Sequence, residues 1–469
     1  AASDVYKRQL QFGPQKFPDP KSMTTRLQEQ GFRVCLWQWP NMIVNTTMFA
    51  EGVQGEYLAK RTNGHPYIFA GFMGDAGFID YSNPEAVSWV QQKFYDLFEQ
   101  GVAVIKVDFG EGAPPDAVYH AVPGAAMHNL YPLLYNKAIF EATETFWGKD
   151  QAMVWARSAW AGSQRYPVHW SGDGVARTED LACVLRSALN FGLSGFPFYS
   201  HDIGGFSGLP SPELYVRWAQ FGLFSSHARA HGTPPREPWA YGETAETIFR
   251  RYDELRYRLL PYIYSEAVEC GRTSLPMVRA QVVDFQADPT SHTIDDVFLF
   301  GRHLLIAPVL DDSDQRQVYL PPGQWIDYWT KTVYPGSRWV VVDAPLAVLP
   351  IFVKTGAIIP HGPVMQYVDA QPCSPLTLEI YQPVDEGLYA IHDQSHPDIL
   401  VSYRRRGSTL IVTADGAPDR VELVVYGVEV AGVMVNNMTV EWDQRDDGGV
   451  QVNFTQAGQV SFQLAADTA

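Results

Sequence analysis

Over residues 17–268 short apolar runs alternate with amphipathic stretches. "RVCLWQWP" (33–40) and "VAVIKVDF" (102–109) have the length and the branched or aromatic content of strands. Between them, "NPEAVSWVQQKFYDLFEQG" (83–101) repeats its apolar residues at helical spacing. Asn83 can cap that helix, Pro84 suits its first turn and Gly101 stops it. The same pattern predicts helices around 129–148, 178–191, 211–222 and, as one long element, 243–268. It predicts further strands at 152–158, 167–172, 194–202 and 224–231. Strands alternating with helices build parallel βαβ units. After about residue 268 helical periodicity fades, and short alternating segments such as "SRWVVVD", "LTLEIYQ", "STLIVTADG" and "VELVVYG" read as antiparallel strands. Asp446 and Asp447 before Gly448 and Gly449 mark a hairpin.

Polar residues capable of chemistry recur at the C-terminal ends of the predicted parallel strands: Asp108, Arg157, Asp202 and His231. A (β/α)8 barrel builds its active site on that face from several strands, whereas a doubly wound sheet uses mainly one switch point. The fold class read here is therefore α/β: a (β/α)8 TIM barrel followed by C-terminal antiparallel β-sandwich domains. About six barrel strands are recognisable where eight are needed, so the barrel reads as incomplete at its N-terminal end. The expected division is a non-native or linker segment at 1–16, a partial catalytic barrel at 17–268, a proximal β domain at 269–365 and a distal β domain at 366–469. "AASDVYKRQL", without an initiator methionine or a signal peptide, is polar and mixed in charge and differs in texture from the barrel pattern.

Bulk properties narrow the partners. The 469 residues carry 35 Lys+Arg against 52 Asp+Glu, a net charge of −17. Nucleic acid and anionic membrane surfaces call for clustered positive charge, so neither is the expected main partner. No apolar run approaches ~18 residues, so no membrane-spanning segment is expected. The four cysteines, Cys35, Cys183, Cys270 and Cys373, have no metal-type spacing and read as buried thiols.

Two aspartates stand out. Asp108 ends an apolar strand and is followed by Gly110 and Gly112, which permit tight backbone turns. The bland reading is a helix cap or a salt bridge to Lys106. Asp173 lies between Gly172 and Gly174 in "YPVHWSGDGVARTEDL", where an aspartate is usually a turn residue. Two carboxylates on separate loops at one barrel face, with 13 Trp in the chain for stacking on sugars, suit glycoside cleavage. Arg157 reads as an ion-pair partner or as a fork holding a hydroxyl or a carboxylate. Asp202, next to His201, and His231 read as sugar-hydroxyl ligands, against the alternative of satisfied core residues. "HARAH" with His201 could form a metal site, but its histidines end a strand-like run and no metal is assigned.

"KVDFGE", "ARSAWAGSQRYPVHWSGD", "LSGFPFYSHDIGGF" and "FSSHARAHG", in that order, resemble glycoside hydrolase family 31 and within it the bacterial α-xylosidases. The resemblance runs from about residue 17 to 360. It implies that Asp108 is the nucleophile and Asp173 the acid/base, and that Arg157, Trp170, Asp202, Phe206 and His231 line the sugar subsite. It also implies that Lys106 is the pocket lysine of the xylosidase branch. The implied enzyme retains anomeric configuration, needs no cofactor, acts on carbohydrate and is cytoplasmic; homo-oligomerisation is left open. A retaining pair has its carboxyl groups about 5–5.5 Å apart. The family pattern begins further upstream, with a β-sandwich and two barrel strands, so the chain reads as N-terminally truncated. Gly112, Ser171 and Tyr199 stand where the xylosidases usually carry Arg, Gly and Trp, and the first and last are expected to reshape the pocket. α-Glucosidase, α-galactosidase and sulfoquinovosidase are alternatives within the family. A non-catalytic carbohydrate-binding protein and a metal-dependent barrel hydrolase are alternatives outside it.

Overall fold

A computed structural model describes residues 10–465, apart from 72, 395, 419 and 455–457. The expected non-native segment thus lies largely outside the described residues. The chain divides into two units, 1–170 and 171–469.

In the first unit a parallel sheet runs in the order Val34–Gln38, Val102–Val107, Val154–Ala156, His169–Trp170. The helix Pro84–Glu99 begins as its sequence predicts: Asn83 accepts from the Glu85 N–H, Pro84 fills the first turn, and Gly101 follows at φ +87°. It buries Val90, Phe94, Leu97 and Phe98 against Val102, Ile105 and Val107, together with Tyr131, Tyr135 and Ile139 of the helix Gly124–Trp147. Periodicity does not reveal a three-stranded antiparallel sheet between the first two parallel strands, formed by Asn41–Ile43, Gly74–Phe78 and Ile68–Gly71. Its glycines at 71, 74 and 77 interrupt the alternation that marks a strand.

In the second unit the helices Thr178–Leu193 and Pro212–Gly222 match expectation, the latter capped by Ser211. The long helix expected at 243–268 is two, Glu243–Arg258 and Leu260–Thr273. Pro261 is the cause, because it lacks an N–H and its ring excludes the carbonyl four residues back; it serves instead in the first turn of the second helix. The strand expected at 224–231 shrinks to Arg229–Ala230. Arg256 takes the carbonyls of Leu223, Ser225 and Ser226 at 2.7–3.0 Å, which removes them from any ladder.

The β region is built from antiparallel sheets. One has six strands spanning Val278–Lys354, and beside it Gln315–Leu320 pairs with Arg338–Asp343. Two further sheets of five and six strands cover 358–464. The strand Ile358–His361 already pairs with Leu376–Tyr381, ahead of the expected division at 365. Within the same sheet Leu376–Tyr381 runs parallel to Val421–Tyr426, an exception to the antiparallel expectation. The hairpin at Asp446–Gly449 forms as predicted, with the Arg445 N–H donating to the Gly449 carbonyl. Cys35 and Cys183 are exposed, Cys270 is buried and Cys373 half-buried, which corrects the expectation of four buried thiols. Among the described residues no helix is long and apolar enough to cross a membrane.

Burial pushes the imidazoles of His169 and His201 down to about 3. Both are therefore neutral in the folded state, while the unfolded chain protonates them near 6.5. The unfolded state binds more protons below that pH, so stability must fall as pH drops from about 6.5 towards about 3. At pH 5 the loss should be roughly 2 kcal/mol for each histidine. Thermal midpoints measured between pH 7.5 and 5 check this; a flat profile would refute it.

Candidate active site

Strand alternation and register build the cluster in the first unit. Lys106 and Asp108 point to one side of the sheet because they are two residues apart. Register places Trp37 and Trp155 beside Lys106 on the flanking strands. Arg157 follows Trp155 by two, and His169 pairs with Ala156, so Trp170 comes beside Arg157. Six polar or aromatic side chains thus share one face at the C-terminal strand ends. The Lys106 ammonium sits 4.6 Å from the Trp170 ring centre, both residues being buried.

Asp108 is the most closely held of them. It is 5% exposed. Trp37 Nε1 donates to its Oδ2 at 2.6 Å. The Phe109 N–H donates to Oδ1 at 2.9 Å, and Arg157 Nη1 pairs with Oδ1 at 3.1 Å. A carboxylate offers about four acceptor directions, so among the described residues these three contacts leave one on Oδ2 uncommitted. Arg157 also stacks on Phe109 at 3.9 Å and pairs through Nη2 with Glu111 at 2.5 Å. Its fork therefore bridges two carboxylates and cannot swing away without losing both. The ion-pair partner of Asp108 is Arg157, not the Lys106 of the bland sequence reading.

The turn after Asp108 is strained. Phe109 has φ +57°, which costs an aromatic residue on the order of 1–3 kcal/mol. Its carbonyl accepts from Ser158 Oγ at 2.5 Å, which holds the turn in place. Gly110 follows at φ +105°, and a Cβ there would stand 2.8 Å from Ser158 Oγ. Gly112 has no such need: nothing lies within 4 Å of a Cβ at that position. The expectation that both glycines serve a tight turn holds only for Gly110.

The second unit carries the other predicted residues. Asp173 is exposed, on a turn that includes Gly172 at φ +80°. The Gly174 carbonyl accepts from the N–H groups of Phe206 and Ser207 at 2.8 and 3.2 Å, so the Asp173 turn is laced to the Phe206 turn. Phe206 packs against His231 with ring centres 5.5 Å apart. The close approach of these turns explains Gly205, where a Cβ would lie 2.8 Å from the Ala176 nitrogen. Asp202, itself buried, pairs in register with Arg229, whose Nε donates to Oδ1 at 2.5 Å. The structure thus gathers Asp173, Phe206, His231 and Asp202 in one unit, and Lys106, Asp108, Arg157 and Trp170 in the other.

Tyr199 is buried, packs against Phe191 and donates to the Val184 carbonyl. His201 stacks on Phe221, His227 contacts Ser226 and His231 contacts Phe206. Among the described residues no group of three His, Cys, Asp or Glu is arranged to hold a metal ion. Sequence reasoning misses Trp37 and Glu111. A signal for Trp37 exists in "VCLWQWP", where it takes an alternate position, but only register against 102–107 shows which aspartate it reaches.

Comparison with known proteins bears on the whole chain. A model of the glycosyl hydrolases family 31 TIM-barrel domain matches residues 2–266, and a model of that family's C-terminal domain matches residues 274–359. An α-xylosidase of Emericella nidulans is 34% identical over 388 residues, which cover 80% of this chain and 50% of that protein. α-Glucosidase 2 of Bacillus thermoamyloliquefaciens is 31% identical, covering 80% of this chain and 50% of that protein. The chain spans about half the length of these curated relatives. The Flavobacterium johnsoniae family 31 dextranase, solved with isomaltotriose, superposes with a TM-score of 0.90 at 26% identity, covering 95% of this chain and 64% of that one. The fold is accordingly a TIM-barrel domain followed by β-rich C-terminal domains, as its pattern predicts.

Proposed function

The chain belongs to glycosyl hydrolase family 31, and from that premise we propose that it is the catalytic part of a retaining α-glycosidase, an α-xylosidase acting on xylosyl oligosaccharides. In the first step an Asp108 oxygen attacks the anomeric carbon, the glycosidic C–O bond breaks, and Asp173 gives its proton to the leaving oxygen. In the second, Asp173 takes a proton from water, whose oxygen displaces Asp108 and restores the starting configuration. The single observation that carries this reading is the setting of Asp108: an aspartate at a barrel-strand end, held on both oxygens, with one acceptor direction uncommitted. Arg157 and Trp37 fix the angle of the carboxylate, and pre-fixing a reacting group removes much of the entropic cost of reaching the transition state. Lys106 and Trp170 form a wall beside it that can meet sugar hydroxyls and a sugar face.

The similarity to an α-xylosidase favours xylose, and that to an α-glucosidase keeps glucose as the second reading. A panel of p-nitrophenyl α-xyloside, α-glucoside, α-galactoside and α-sulfoquinovoside separates them. The xyloside is expected to have the highest kcat/KM, by tenfold or more. A preference for another sugar would keep the chemistry and overturn the specificity. No turnover of any of them, in a protein that still binds oligosaccharide, would favour a carbohydrate-binding role.

A further inference from the structure

We propose that Trp160 is the stacking platform for the first sugar beyond the cleaved bond, an inference that rests on the glycosidase reading and adds to it a determinant of leaving-group specificity. The side chains around Asp108 are largely buried: Lys106 and Trp170 are less than a tenth exposed, and the Arg157 side chain is 14% exposed. Three residues after Arg157 the environment changes abruptly, and Trp160 stands 46% exposed. An exposed tryptophan on a loose loop would say little, but this loop is anchored at several points. The Trp160 N–H donates to Ser163 Oγ at 3.1 Å, and its carbonyl accepts from the Ser163 N–H at 2.9 Å. Asn136 donates to the Ser158 carbonyl at 3.0 Å, and Ser158 Oγ donates to Phe109, the residue after the nucleophile. Trp160 thus has its own backbone fixed to Ser163 and follows by two residues the Ser158 that holds the Asp108 turn.

No ring contact among the described residues involves Trp160. An indole on a fixed backbone, left without an aromatic partner, keeps an apolar face available, and a pyranose presents a matching apolar face of C–H groups. The buried wall is where the terminal sugar must sit, since a pocket that excludes water strengthens the electrostatics of the reaction. The rest of an oligosaccharide must leave that pocket outward, and Trp160 is the exposed aromatic on the segment leading out from Arg157.

The test compares two substrates that share the terminal sugar: an oligosaccharide, and the corresponding α-glycosyl fluoride, whose leaving group has no ring to stack. In Trp160→Ala the ratio of kcat/KM for the oligosaccharide to that for the fluoride should fall at least tenfold, mainly through KM. Trp160→Phe should recover most of that ratio. An unchanged ratio overturns the proposal, whether both activities fall together, as loosening of the Arg157 loop would cause, or neither falls. If the wild type turns over neither substrate, calorimetry with the oligosaccharide separates the two ideas. Binding lost in Trp160→Ala would uphold the platform while the glycosidase reading fails; absence of binding by the wild type, or equal binding by both proteins, would overturn the platform.

Discussion

Asp108→Ala is expected to lower kcat for every glycoside the protein cleaves by about 10⁴-fold or more, the scale on which loss of a nucleophile is felt. The fold should survive. Arg157 keeps its partner Glu111 and remains stacked on Phe109, so no buried cation is stranded. The Trp37 N–H loses an acceptor, but Trp37 is only half-buried and water can replace the carboxylate. The cost is about 1–3 kcal/mol of stability. The sharper readout is stereochemical. With the methyl group of alanine in place of the carboxylate, an added azide ion can enter from the face that Asp108 occupied and displace the leaving group once. An α-glycoside would then yield the β-glycosyl azide, an inverted product. Turnover of the alanine variant at the wild-type rate, or azide product of retained configuration, would remove Asp108 from the nucleophile's role.

The features that make Asp108 legible in the sequence are those physics makes local. A strand end is marked by the run before it and the glycine after it, and both survive in the structure as Val102–Val107 and Gly110 at φ +105°. Helix starts are equally legible, because Asn83 and Ser211 act on N–H groups two or three residues away. Breaks that depend on distant partners are not. The carbonyls of Leu223, Ser225 and Ser226 are claimed by Arg256, some thirty residues on, and nothing in "FSSHARAH" announces that loss. The Gly-rich segment 68–78 forms strands because its two arms pair with each other and Asn41–Ile43 extends the ladder, not because of its own propensity. The same limit applies within the site. The pairing of Arg157 with Asp108 and Glu111 arises from register among three strands and a strained turn, whereas composition can only nominate Arg157 as a partner of something.

Asp173→Ala should behave differently from Asp108→Ala, and the contrast tests the division of labour. Asp173 is exposed, so its removal should leave the thermal midpoint within the small range typical of surface substitutions. Its loss should cost about 10²–10⁴-fold on an oligosaccharide, because a sugar alkoxide leaves poorly without a proton. On a p-nitrophenyl glycoside, whose phenolate leaves unassisted, formation of the glycosyl–Asp108 ester should be far less impaired. Water would then attack that ester without a base, so the intermediate should accumulate and steady-state turnover should become slow after a burst of one p-nitrophenolate per site. Azide needs no base to attack. It should therefore rescue the second step and give the α-glycosyl azide, with configuration retained by two displacements, opposite to the product expected from Asp108→Ala. Equal losses on both leaving groups, with neither burst nor azide adduct, would mean that Asp173 is a turn residue between two glycines and that the proton comes from another group.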